Sequence, residues 1–273
     1  MKINNKNIFC LATIAAVILV SSFAIASVGK VKGSMHDFSV GGGSQVYQSS
    51  TYSQTCVFCH TPHNAGKTGL LWNKAINGNT NFRLYTSSST LTNTVRKFSS
   101  LSAGSPSLLC LGCHDGKTAM NVLHNTGGGA GVNASGAGYP AGSEYIQTTT
   151  TGFGPLVMPK GGFTDFFGNV TPQANLGFEG GNDTKGDNLT DDHPIGFSYT
   201  DAVADKVAAG SSALNAKGSV NSAIRFFGAK NIVECSTCHD PHVDYSPGGN
   251  PALKPFLVMS NSGSALCLSC HNK

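Results

Sequence analysis

Residues 56–63 read CVFCHTPH and residues 235–242 read CSTCHDPH. Further along, residues 107–114 read SLLCLGCH and residues 264–271 read SALCLSCH. The chain therefore writes one pattern twice: a CxxCHxPH unit, then an SxLCLxCH unit. The first cysteines of the two units lie 54 residues apart in one half (56 to 110) and 32 in the other (235 to 267). Each half also carries a histidine upstream of a motif, His36 in HDFS and His193 in HPIGFS.

Eight of the nine cysteines fall in Cys-x-x-Cys-His units: Cys56/Cys59/His60, Cys110/Cys113/His114, Cys235/Cys238/His239 and Cys267/Cys270/His271. That unit is the attachment signature of c-type haem. The two thiols add to the porphyrin vinyl groups, and the adjoining histidine is placed beneath the ring to bind iron. Disulfides of a secreted protein, structural zinc and a thioredoxin-like dithiol are the rival uses of such cysteines. None of them requires a histidine directly after every second cysteine. The expectation is four haem c groups with proximal ligands His60, His114, His239 and His271, and no other metal.

Five of the nine histidines remain for the opposite axial positions: His36, His63, His124, His193 and His242. His36, His63, His193 and His242 have counterparts across the repeat and are the expected distal ligands. His124 has none and stands in reserve. Methionine is the other common axial ligand, but Met35, Met120, Met158 and Met259 show no repeated placement. His63 follows His60 by three residues and cannot reach the far face of the same porphyrin, so it serves another. The same holds for His242. The simplest scheme pairs His63 with His114, His242 with His271, His36 with His60 and His193 with His239. Iron with two imidazoles has no open position, which points to electron transfer and not to an enzyme.

The start of the chain has Lys2 and Lys6, an apolar run over 8–20 and a small-residue site at Ala24-Ile25-Ala26. That order is expected of a secretory signal peptide at 1–26; the apolar run is short for a membrane span. Cys10 would leave with it. No membrane span is expected after cleavage, and the location is extracellular or cell-surface, with the periplasm as alternative. The expected mature chain, 27–273, has two haem-pair halves at about 27–125 and 190–273. Between them lies a Gly/Ser/Thr-rich insertion, notably 127–138 and 148–154.

With 34 glycines and only 12% charged residues, this composition reads as loop unless something besides side chains fills the interior. The fold class expected is a multihaem cytochrome c, loop-rich with short helices and a little β, organised around a stack of four haems. Short helical turns are expected at each CxxCH, with further helices at 201–209 and 219–227. Trp72, Phe98, Phe226, Phe227 and Phe256 are expected to pack on porphyrin faces. The formal charge of +4 is outweighed by the propionates of four haems, and no Lys/Arg cluster suggests nucleic acid.

Taken together, HDFS (36–39), CVFCHTPHNA (56–65), LLWN (70–73), LCLGCHDG (109–116), DDHPIGFSY (191–199) and ECSTCHDPH (234–242) span nearly the whole mature chain. In these elements and their order it resembles the OmcE-type tetrahaem cytochromes, which polymerise into extracellular filaments, the cytochrome nanowires. His124 and the glycine-rich stretch after it depart from that pattern. The resemblance implies a head-to-tail homopolymer with haem stacks joined across subunits, and one haem ligated by a neighbour's His36 or His63. The implied partners are further copies, redox proteins and an extracellular electron acceptor. A monomeric periplasmic shuttle and a multihaem reductase are the alternative expectations.

Overall fold

A computed structural model describes residues 30–44, 47–61, 71–74, 81–86, 88–98, 100–125, 132–134, 144–146, 156–158, 175–177 and 187–272. The expected leader, Cys10 and His63 lie outside these residues, as do most of 127–138 and all of 148–154.

Regular structure is short and gathers at the motifs. Helix α1 is Asn93–Arg96, α2 is Ser107–His114, α3 is Tyr199–Ala208, α4 is Cys235–Cys238 and α5 is Ala265–Cys270. A 3-10 turn, Thr55–Phe58, carries the first motif. Every CxxCH thus sits on a helical turn, as the sequence leads one to expect. Helix α3 realises the expected helix at 201–209, starting two residues early because the Ser198 hydroxyl accepts from Asp201 N at 3.2 Å as N-cap.

No helix forms over 219–227, which corrects that expectation. A 3-10 turn, Lys217–Ser219, ends there. The Asn221 side chain then accepts from Ala223 N at 2.9 Å, and Ser269 Oγ accepts from Asn221 N at 2.7 Å. Such side-chain bonds draw the backbone away from a helix. Phe227 and Ile232 then exchange backbone bonds of 3.0 and 2.8 Å across a tight turn.

The strands are two or three residues long. β1 (Arg83–Leu84) pairs in parallel with β5 (Asn188–Leu189), Arg83 opposite Asn188. β2 (Val122–Leu123), β3 (Val132–Ala134) and β4 (Glu144–Ile146) form an antiparallel sheet in the order β2-β4-β3. Among the described residues no helix is long and apolar enough to cross a membrane.

Among the described residues, buried apolar side chains fall into four small clusters. One joins Phe82, Leu84, Leu101 and Leu189 to Leu108 and Leu111 of α2. Another sets Tyr52, Val57, Phe58, Leu123 and Ile146 around Cys59. A third packs Phe197, Tyr199 and Val233 towards Cys270. The last holds Met120, Leu156 and Met158 against Cys113. Met120 and Met158 are thus packing residues. Each cluster touches a motif, so the apolar side chains line the motifs without filling one common interior.

The halves interlock. Asp205 of α3 accepts from Thr94 N at 2.6 Å, and Lys206 Nζ donates to Thr90 O at 2.7 Å. Ser105 and Ser107 donate to the buried Glu234 carboxylate at 2.6 and 2.5 Å, and Cys235 N donates back to Ser107 Oγ at 2.9 Å.

Candidate functional site

Three of the four motif histidines, each at the end of its helical turn, meet a histidine from elsewhere in the chain. His36 and His114 have ring centres 6.1 Å apart, edge to face. His60 and His242 stand 6.2 Å apart with rings nearly parallel. His193 and His271 are 6.3 Å apart, again edge to face. Each pair joins one CxxCH histidine to one of the repeat-related histidines that the sequence singles out.

That spacing, within the ordinary range of aromatic contacts, also has a chemical meaning. Two imidazoles on opposite sides of one metal, with metal–nitrogen bonds of about 2 Å, put their ring centres roughly 6 Å apart. Among the described residues, which include all eight motif cysteines, no three His, Cys, Asp or Glu converge to hold a metal ion. All eight motif thiols are free. Burial pushes Cys59 up to about 12 and raises Cys113, and Cys110 is held up by its hydrogen bond to Cys235 and by burial. Cys235, the partner in that bond, is held down by Cys110, and Ser107 adds to the effect.

Two of the imidazoles, His36 and His239, are held towards the neutral form. Burial, with His114 and His242 beside it, brings His36 down to about 3. Burial also lowers His239. His193 Nδ1 lies 2.9 Å from Pro194 O, and His239 Nδ1 lies 2.9 Å from Pro255 O. A carbonyl there places the proton on Nδ1 and leaves Nε2 for a metal. His242 Nδ1 instead meets Asp240 Oδ1 at 3.0 Å. That bond raises His242 and holds the Asp240 carboxyl well below its usual range, with Arg225 also bonded to it. A carboxylate behind a ligating imidazole increases its basicity.

Two buried polar atoms near these rings lack protein partners among the described residues: His36 Nδ1 and the indole N–H of Trp72. Trp72 stands edge-on to His60 at 5.8 Å. Its N–H needs an acceptor that the described residues do not provide, which fits a group carrying propionates. Phe256 lies against His36 at 4.4 Å, Phe226 stacks on Tyr199 at 4.8 Å, and Phe98 packs between two apolar clusters.

The partners differ from the scheme read from sequence. His36 faces His114 in place of His60, His193 faces His271 in place of His239, and His242 faces His60 in place of His271. The reason is through-space. HDFS and HPIGFS each pack on the second motif of their own half, while the CxxCHxPH tail of the second half crosses to the first. His239 forms no ring pair among the described residues. His124 is held by its backbone, donating to Asn73 O at 2.8 Å.

The motifs also touch in chain order. The Cys113 thiol adds to the upward push on Cys59, Cys110 bonds Cys235, and Cys270 adds to the push on Cys238. Two charged residues that sequence reading passed over sit beside these sulfurs, Lys74 and Glu234, both buried. A lysine after LLWN and a glutamate before a motif read as ordinary solvated residues, and nothing in their spacing says otherwise. Comparison with known proteins returned no matching family model and no matching curated protein.

Proposed function

We propose that this chain is a secreted tetrahaem c-type cytochrome that transfers electrons, working as the subunit of an extracellular conductive filament. The observation that carries the reading is the set of three imidazole pairs at 6.1–6.3 Å, each joining a CxxCH histidine to a second one. Haem bound there supplies reversible electron uptake and release at iron. The chain's own work is to hold, insulate and align. Cys56/Cys59, Cys110/Cys113, Cys235/Cys238 and Cys267/Cys270 are the attachment points. His60, His114, His239 and His271 bind from one side, and His242, His36 and His193 complete the first, second and fourth sites.

His63 completes the third site. His242 of the second half serves the first motif, and exchange across the repeat gives its counterpart His63 to His239, from the same chain or a neighbour. The succession of neighbouring sulfurs makes the route follow chain order, from the first motif to the fourth. Polymerisation is supported by the last motif: Leu268 of α5 is exposed, whereas its repeat counterpart Leu111 in α2 packs among Phe82, Leu84, Leu101, Leu108 and Leu189. A second copy seated on α5 would cover it, and a contact of that kind which never closes on itself builds a filament.

Mass measurement of the secreted protein should show four covalent haems with a wholly low-spin spectrum. Electron microscopy of the secreted material should show haem-stained filaments. Fewer haems would undo the motif assignment, a high-spin haem would favour a reductase, and particles that stay single would leave a shuttle.

A further inference from the structure

Lys74 is 3% exposed, and its ammonium donates to Ala119 O at 3.3 Å, Met120 O at 2.5 Å and Val122 O at 3.3 Å. Three carbonyls occupy as many donors as an ammonium has. No carboxylate lies within ion-pair distance of it among the described residues. The nearest buried acid to the second motif, Asp115, is turned away, accepting from Lys117 N, Thr118 N and Thr118 Oγ1 at 2.9, 2.7 and 2.6 Å. With three carbonyl acceptors around it, the nitrogen has no donor to meet the lone pair of a neutral amine, so the site is shaped for an ammonium.

Its location is specific. Asn73, the preceding residue, donates its backbone N–H to Cys59 O at 2.9 Å and its side chain to Val57 O at 2.7 Å, tying the segment to the first motif. Met120, whose carbonyl takes the shortest of the three bonds, packs with Cys113 of the second motif. The charge of Lys74 pulls the Cys59 and Cys113 thiols downward against the raising effect of burial. Lys74 thus lies between the attachment points of two haems. The opposite charge lies at the third motif: Glu234, 4% exposed, directly precedes Cys235.

We propose that Lys74 is a redox-tuning residue, whose buried ammonium raises the reduction potentials of the haems attached at Cys56/Cys59 and Cys110/Cys113. A fixed positive charge in a low-dielectric setting favours the state with one more electron nearby. Glu234 acts in the opposite sense on the haem at Cys235. Each subunit then holds electrons preferentially in its first half. This rests on the haem reading above.

The test is a spectroelectrochemical titration of the intact haem-loaded protein, comparing wild type with Lys74→Gln, Lys74→Arg and Glu234→Gln. In Lys74→Gln the reduced-to-oxidised ratio of the affected haems at fixed potential should fall about tenfold, which is 59 mV for a one-electron couple. Lys74→Arg, which keeps the charge, should stay near wild type, and Glu234→Gln should shift part of the curve upward. Water entering a loosened core would not move the two neutralised variants in opposite directions. A Lys74→Gln curve superimposable on wild type, with four haems present, overturns the proposal. If that variant does not fold, stepwise reduction of wild type followed by NMR of the haem methyl signals decides. The first haem reducing before the third supports the proposal, and the reverse order overturns it. A colourless wild-type protein would remove the haem reading and Lys74's role together, a result distinct from unshifted potentials.

Discussion

Helices α2 and α5 are built from nearly the same words, SLLCLGCH and SALCLSCH, and live in different surroundings. In α2, Leu111 is 1% exposed and Ser107 is fully buried, bonded to Glu234 and to Cys235 N of the following motif. In α5 the counterpart Leu268 is 45% exposed, and Ser264 is an exposed cap residue at a φ of 61°. The local code makes a helical turn in both places, because a turn needs only its own residues. Burial has to be supplied by something else: for Leu111 it is Phe82, Leu84, Leu101 and Leu189, and for Ser107 it is Glu234 and the start of α4. The comparison separates what the repeat encodes from what the neighbourhood adds.

The difference can be broken at its strongest point first. Leu111→Ala should destabilise the protein by about 2–5 kcal/mol, the usual range for a buried leucine, read from denaturant unfolding of the haem-loaded chain. Ser107→Ala comes next, at about 1–3 kcal/mol, because it leaves Glu234 and Cys235 N short of a partner in the interior; Ser264→Ala in the same assay should be silent. Ser198→Ala removes the cap of α3 and should lower stability by about 1 kcal/mol, which thermal melting would register. The smallest effect is expected for Leu268→Ala in dilute, unassembled protein, within about 0.5 kcal/mol. A loss there as large as that of Leu111→Ala would mean that α5 is covered within a single chain, and the contrast between the two helices would collapse.

The four attachment motifs and their helical turns were legible in the sequence, because thiol spacing and helix start signals are local. So was α3, whose serine cap and apolar spacing need no outside help. The repeat singled out His36, His193 and His242, which the structure sets beside motif histidines, but not which motif each would face. Which ring faces which depends on how HDFS and HPIGFS dock on the second motif of each half, a matter of packing between segments dozens of residues apart. The segment 219–227 misled for a related reason: its helical pattern loses to side-chain bonds with Ser269, which no local pattern reveals. Lys74 and Glu234 were illegible because burial of a charged residue is decided by the surrounding chain. A lysine surrounded by three backbone carbonyls looks, in one dimension, like any lysine.

The interlock between the halves has a consequence for how the molecule comes into being. The parallel pairing of β1 with β5, the Thr94–Asp205 bond and the Ser107–Glu234 bond all link residues more than a hundred positions apart. A ribosome that has released only the first half has therefore produced a chain whose β1 and α2 still lack their partners. Distant contacts of this kind delay folding and tie the pieces into a single all-or-none melting event. The duplication is one of text and not of independently folding modules, so a fragment cut after residue 125 should remain an open chain.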